Sequence, residues 1–202
     1  MDAHLIDSAV YGHGWSTAES VALFSERARL SRWVHVLKAL AAAQADLQII
    51  PETSAQAIDG LDAQILDPDA LGAHTRRTSH STIGLVRELQ ACLPEHAREH
   101  VYYGATVQDI SDTAAALEMR DVGAIVWRDL RAVEGSLLEL AVRHRDTPML
   151  GRTHGQPGAP MTFGFKAASW ADETSRHLER WRQSRHRLMV GQLAGAVGVL
   201  GF

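Results

Sequence analysis

An all-α fold is predicted, and three features of the sequence carry that prediction. Behind Ser25, a residue suited to capping a helix start, Leu30, Trp33, Val34, Leu37, Leu40, Ala41 and Leu47 recur at spacings of three and four. From Asp112 to Arg145, Ala116, Met119, Gly123, Val126, Leu130, Val133, Leu137 and Leu140 alternate the same two spacings, which is the seam of a helix built for a bundle. A second long helical stretch is expected from about Met161 to Met189, with a narrower stripe of Phe163, Trp170, Leu178, Trp181 and Leu188.

Taken in order, Met1 to Trp15 shows no helical period and reads as a leading arm interrupted by Gly12 and Gly14. Ser16-Thr17-Ala18-Glu19 predicts a capping box in which Ser16 and Glu19 satisfy each other's N–H groups. The helix opened by Ser25 is expected to stop at Pro51. Pro51 in turn suits the first turn of a short helix ending at Gly60, and Leu61 to Gly72 is expected to be broken by Pro68. Ile83, Leu85, Val86 and Leu89 begin another helix just after His80, so short helices fill the first hundred residues. Asp109 and Asp112 suit the cap of the long helix, and for Asp112 that is the preferred reading. Thr147-Pro148 ends this helix, and the arginines 176, 180, 182, 185 and 187 crowd the outer faces of the next as a solvated or subunit-contacting surface. Gly191 to Phe202 is a glycine-rich apolar tail.

With 202 residues, 46% of them apolar, the chain can bury a globular core, and a net charge of −4 with both signs interspersed gives no field for nucleic acid or an anionic membrane. The single cysteine, Cys92, has no partner and no zinc-ligand spacing, so a reducing, cytoplasmic setting and a small buried apolar role are expected of it. No signal peptide opens the chain and no apolar run approaches the length of a membrane span. No metal and no cofactor are expected.

Three polar islands stand out. Thr147 to Pro160 is a connection of about a dozen residues where helix pairs commonly use about 2 to 8, a length at which loops tend to carry function. In it, His154 can exchange a proton near neutral pH while Thr153 and Gln156 can hold carboxylate oxygens, although an ordinary polar turn explains the same residues. His80 lies near a helix start, a place suited to an anion or simply to a cap. Thr106 and Gln108 follow Gly104 and offer further donors. His96 and His100 receive no role.

Read together, TSHS at 78–81, GATVQDISDTA at 104–114 and GRTHGQPGAPMTFGFKAASW at 151–170 resemble the fumarase/aspartase superfamily, most nearly the branch of adenylosuccinate lyase and 3-carboxy-cis,cis-muconate cycloisomerase. The run FSERARLSRWVHVLKALAAAQADLQIIP is similar to the same branch, so the likeness covers nearly the whole chain. The resemblance implies an irregular helical first domain over residues 1–111, and over 112–202 the opening helices of a central bundle. It implies homotetramers with active sites shared between subunits, acting on a small dicarboxylate-type substrate. It makes His154 the general acid, His80 the histidine that assists it and orients substrate, and Thr106, Gln108, Thr153 and Gln156 the carboxylate-site residues.

The expected reaction is a β-elimination that releases fumarate from an amino-substituted succinate. The family's general base is a serine on a Gly-Ser-Ser-x-Met-Pro-x-Lys-x-Asn loop that this sequence lacks. The chain alone is therefore expected to be inactive, as the N-terminal part of a longer enzyme or as one half of a split one whose C-terminal half is a separate chain. Ala9-Val10-Tyr11-Gly12 replaces the Arg-Tyr pair that adenylosuccinate lyases use for the nucleotide phosphate. Ser81 replaces their aspartate and Val199 a usual threonine, while typical cycloisomerases lack the histidine at 80. The alternatives are a muconate cycloisomerase and an inactive oligomerisation module.

Overall fold

A computed structural model of the chain describes residues 4–199. Its helices are α1 (Ala18–Leu23), α2 (Glu26–Asp46), α3 (Glu52–Asp59), α4 (Pro68–Thr78), α5 (Ile83–Cys92), α6 (Val107–Arg143) and α7 (Phe163–Leu188). Between α6 and α7 lie two antiparallel strands, β1 (Pro148–Thr153) and β2 (Gln156–Thr162). The fold is thus helical as expected, with one small sheet added. Two compact units are distinguishable, one of residues 1–118 with 190–202, the other of residues 119–189, and the division falls inside α6.

In the first unit, α2 turns Leu30, Val34, Leu37 and Ala41 inward onto Ile58 of α3 and Leu85 and Leu89 of α5. Burial of each large side chain of this set stabilises the unit by about 1.5–3 kcal/mol before entropy is counted. Leu47, expected in that stripe, is 72% exposed, because α2 ends at Asp46 and Gln48 turns the chain out with φ of 60°. Two polar side chains fasten the irregular parts to α2. Arg27 donates to the carbonyls of Ala63 (2.9 Å) and Leu66 (3.1 Å), and the buried Gln44 donates to the Tyr103 carbonyl (2.8 Å).

Several helix boundaries differ from expectation for local reasons. The capping box of α1 is Thr17 with Ser20, one residue later than Ser16 with Glu19, since Thr17 accepts from Ser20 N and Ser20 Oγ accepts from Thr17 N. Ser25 caps α2 as expected. Pro51 precedes α3 at the cap position, and Pro68 starts α4 where it was expected to break a segment, because a first-turn residue needs no N–H partner. Asp67 accepts from Asp69 N to cap that helix. The leading arm contains two short 3-10 turns, Leu5–Asp7 and Gly12–Gly14, and residues 1–3 lie outside the described residues, as do residues 200–202 of the tail. Cys92 is exposed at the end of α5, contrary to its expected burial.

The long helix begins at Val107, five residues before Asp112, which sits exposed within it. In the second unit α6 and α7 meet where the Trp181 indole covers Gly123, so closely that a Cβ at Gly123 would stand 1.8 Å from the ring. A second close approach puts Gly164, first turn of α7, against the Ala141 carbonyl, with Gly164 N donating to the His144 carbonyl at 2.9 Å. The buried face of α7 is made of Gly164, Ala167, Ala171, Thr174 and Leu178; Leu178 of the expected stripe is buried, but the other four are small or polar residues, and Trp170 and Leu188 are exposed. Its arginines are solvated, with Arg176 paired to Asp172 and Arg182 to Glu179. Among the described residues no helix is long and apolar enough to cross a membrane.

The Gly123 contact yields a test. Gly123→Val should lower stability by about 2 kcal/mol through overpacking against the indole, read as a lower urea midpoint. A Trp181→Ala background should remove most of that difference, and an equal loss in both backgrounds would exclude the contact as its cause. The Arg182 and Gln183 hydrogen bonds hold the exposed Glu179 carboxyl at about 2, below its ordinary 4.5. Its folded value is the lower one, so this pair favours the folded state above about pH 4.5 and loses that effect as pH falls toward 2. A carboxyl NMR titration with a midpoint near 4.5 would contradict it.

Candidate functional site

The first unit assembles two of the three polar islands. Ser79, with φ of 53°, ends α4 in the left-handed region, and the chain turns through His80 and Ser81 into α5. There the half-buried His80 ring caps the next helix: its Nδ1 accepts from Ile83 N at 3.2 Å and Thr82 N at 3.3 Å. The cap that sequence allowed for His80 is therefore real, and it leaves Nε2 uncommitted by the same bonds.

Thr106 immediately precedes α6 and is half-buried, while Gln108 is exposed in the first helical turn. Gly104, with φ of 72°, makes the turn that brings the chain to this start. Asp109 holds the arrangement. It is 1% exposed, and its carboxylate accepts from Thr106 N (2.9 Å), Ala194 N (2.9 Å) and Gly195 N (3.1 Å). One turn further on, Thr113 Oγ1 donates to the Gln192 carbonyl (2.8 Å) and accepts from Gln192 N (2.9 Å). The tail is thus strapped along the start of α6, where Gly195 and Gly198, both with positive φ, close a turn. Helix N-termini carry free N–H groups and partial positive charge, so Thr106 and Gln108 stand where a substrate carboxylate can be held.

Tyr102 lies near Thr82 and Asp109, one residue at each island, and Thr82 is 1% exposed with its Oγ1 3.4 Å from His80 Nδ1. Burial lifts the Tyr102 phenol above its ordinary value of 10; the nearby Thr82 hydroxyl opposes the rise and the Asp109 charge adds to it. Neither Tyr102 nor Thr82 was singled out from sequence, since a tyrosine before a turn and a threonine at a helix start carry no signal of their own. Beside this cluster, a cleft of about 700 Å³ opens between α2 and α4, with Arg29, Arg76, Thr75 and Ser81 around a floor that includes Leu71 and Leu85. It too was invisible in sequence, because its two arginines lie on separate helices.

The third island belongs to the second unit and is a β-hairpin rather than an irregular loop. Thr153 and Gln156 are directly opposed across the strands, so their side chains share a face. His154 (φ of 50°) and Gly155 (φ of 73°) form the two-residue turn between them, both in the left-handed region as a type I′ hairpin requires. Histidine enters that region more readily than most residues. Arg152 pairs with Pro157 after a register shift beyond Leu150, where Gly151 lies against the Ala159 carbonyl. His154, Thr153 and Gln156 are all exposed, an imidazole at the tip with a hydroxyl and an amide beneath it. Among the described residues no group of three or more His, Cys, Asp or Glu is placed to hold a metal ion.

Two outcomes follow for the Asp109 cluster. Asp109→Ala should cost about 3 kcal/mol, since it strands three N–H donors, and should raise amide exchange at Ala194 and Gly195 well above that of α2; unaltered exchange there would refute the strap. Because the Tyr102 phenol is harder to ionise when folded, it should titrate above pH 10, and the folded state should lose stability as pH rises past 10. Comparison of tyrosinate absorbance with that of Tyr102→Phe measures this directly.

A family described as lyase matches residues 16–201. The chain is 42% identical, over 98% of its own length, to N-acetyl-S-(2-succino)cysteine lyase of Dickeya dadantii, and 38% identical, again over 98%, to adenylosuccinate lyase of Pyrococcus abyssi. It spans 44% and 43% of those two proteins, less than half of each. Among solved structures, β-carboxy-cis,cis-muconate cycloisomerase of Acinetobacter calcoaceticus superposes with a TM-score of 0.87 at 37% identity, over 91% of this chain and 44% of that one.

Proposed function

The chain belongs to the lyase family of the fumarase/aspartase superfamily, and on that premise we propose that it is the N-terminal part of an enzyme that eliminates fumarate from a succinylated nitrogen or sulfur. The observation that carries this reading is the hairpin tip, where His154 is exposed in a turn that Thr153 and Gln156 flank as a facing pair. Hydrogen bonds made in open water add little net affinity, so such a tip is suited to work inside a pocket that another chain completes. We therefore also propose a homotetramer with shared sites, in which His154, Thr153 and Gln156 from one subunit serve with His80, Thr106 and Gln108 from another. The first domain is taken as residues 1–111 and the opening of the bundle as 112–202.

The chemistry sets the roles. A proton beside a carboxylate is removed by a base, and the extra charge that collects on that carboxylate needs fixed donors. Thr106 and Gln108 at the α6 start and Thr153 and Gln156 on the hairpin supply them. The departing heteroatom takes a proton from His154. No residue of this chain is assigned as the base; we place it in the portion of the relatives that this chain does not span. The leaving atom is left as nitrogen or sulfur because relatives of each kind are similar to this chain. Ala9-Val10-Tyr11-Gly12, in place of the Arg-Tyr pair, disfavours a nucleotide phosphate.

The test uses His154→Asn, because asparagine suits the left-handed turn while removing the imidazole. In the assembled enzyme it should leave the hairpin intact and reduce turnover of an amine-leaving substrate by at least about 100-fold. A thiolate, with an ordinary thiol pKa of about 8.5, leaves with less help, so a succinylated thiol should suffer less, roughly 10-fold. Unchanged turnover of both would remove the acid role. The cycloisomerase reading is favoured by the structural likeness and is decided by loss of carboxymuconate absorbance. A stable tetramer without turnover, even when a C-terminal half is supplied, would make the chain an assembly module.

A further inference from the structure

The cleft between α2 and α4 has no part in the proposed function above. Its floor is Leu30, Leu71 and Leu85, all buried, and the half-buried Trp33 indole stands at its side. At about 700 Å³ it has the size of a pocket for a small organic molecule, and such pockets are mostly apolar with a few convergent polar groups. Arg29, Thr75, Arg76 and Ser81 are groups of that kind. Among the described residues, the Thr75 hydroxyl, the Arg76 guanidinium and the Ser81 hydroxyl have no side-chain partner. Helical side chains lean toward the helix N-terminus, and Gly72, one turn before Arg76, leaves room for the guanidinium: a Cβ there would stand 3.3 Å from Arg76 Nη1.

The charge of the lining narrows the ligand. Glu26 also borders the cleft, but its carboxylate is paired with Arg29 Nη1 at 3.1 Å, so two arginines against one glutamate leave a single positive charge, on Arg76. One planar fork of donors beside an apolar floor suits one carboxylate on an apolar body better than a phosphate dianion. Position ties the cleft to the reaction. Ser81 directly follows His80, and Arg29 and Trp33 also line a smaller hollow of about 150 Å³ walled by Ser111, Ala114 and Ala115 in the early turns of α6. The cleft therefore borders both elements that carry the candidate residues of the first unit.

We propose that this cleft receives the leaving-group half of the substrate, and that this half is an amine or thiol with a carboxylate of its own on an apolar body, selected by Arg76. The ligand class rests on the cleft itself. Only its place in the reaction rests on the lyase reading above.

The experiment titrates the 202-residue chain with 3-phenylpropanoate, 3-phenylpropanamide and phenyl phosphate, following the Trp33 indole N–H by NMR, with its signal identified by its absence in Trp33→Phe. The carboxylate should shift that signal and bind about 10-fold more tightly than the amide, and more tightly than the phosphate. Arg76→Gln, a change at an exposed side chain, should weaken the carboxylate about 5- to 10-fold, the worth of one charge-assisted hydrogen bond, and leave the amide unchanged. Equal binding of carboxylate and amide, no shift at Trp33, tighter binding of phenyl phosphate, or an unaffected Arg76→Gln overturns the proposal. In the assembled enzyme, a succinylated amine with a carboxylate on its amine half should show kcat/KM about 10-fold above its carboxamide counterpart, a preference that Arg76→Gln should abolish. Equal turnover of the two overturns the placement in the reaction. Absence of turnover of either in the unmodified assembly would sink the lyase reading, while the titration still decides whether the cleft is a carboxylate site.

Discussion

A carboxylate withdrawn from water must be solvated by the protein itself, and at Asp109 three backbone N–H groups from two distant stretches do so. That requirement organises the first unit. It fixes the start of α6 at Val107, because the acid reaches back to Thr106 N as the second half of a capping box. It also draws residues 194 and 195 onto the same helix turn, although they lie some 85 positions further along the chain. With Gln44 holding the Tyr103 carbonyl, the 102–106 turn is gripped from both sides.

The candidate residues of the first unit are therefore set on a hydrogen-bonded base, and those of the hairpin are set by a different device. There the register places Thr153 against Gln156, and the two residues between them must both adopt positive φ. Gly155 does so without strain, while His154 does so at a modest cost that the paired strands sustain. The turn fixes the direction of the His154 Cα–Cβ bond, while the exposed side chain still samples its rotamers. Both devices leave candidate groups at least partly open to solvent, which is the condition in which a further chain is needed to exclude water. The exposed apolar residues of α6, among them Val126, Val133 and Val142, are consistent with surfaces that pack in such an assembly.

Much of this was legible in the sequence. The helical periods located α2, α6 and α7, Ser25 declared its cap, and the islands around His80, Thr106 and His154 were picked out by residue type and spacing. Errors fell where a local signal admits two geometries. Pro68 reads equally as a breaker or as a first helical residue, and only Asp67 capping Asp69 N decided it. The hairpin stayed hidden because Pro157, Pro160, Gly151 and Gly158 depress strand propensity, yet a two-stranded ribbon has only edge strands, where proline is tolerated. Cys92 was misjudged because a cysteine's burial depends on which way its helix faces, and the last residue of α5 faces outward.

What sequence alone determined, then, was the helical class, the family likeness and which polar residues are candidates for chemistry, because these rest on periodicity and on residue type. Tertiary structure decided how those residues are held: the cap made by His80, the Asp109 strap and the left-handed seat of His154. The physical reason is that each depends on hydrogen bonds or backbone angles set by partners whose positions no local pattern encodes. A buried carboxylate looks the same in sequence as a solvated one, and the N–H groups that receive it are displayed only once the chain has folded.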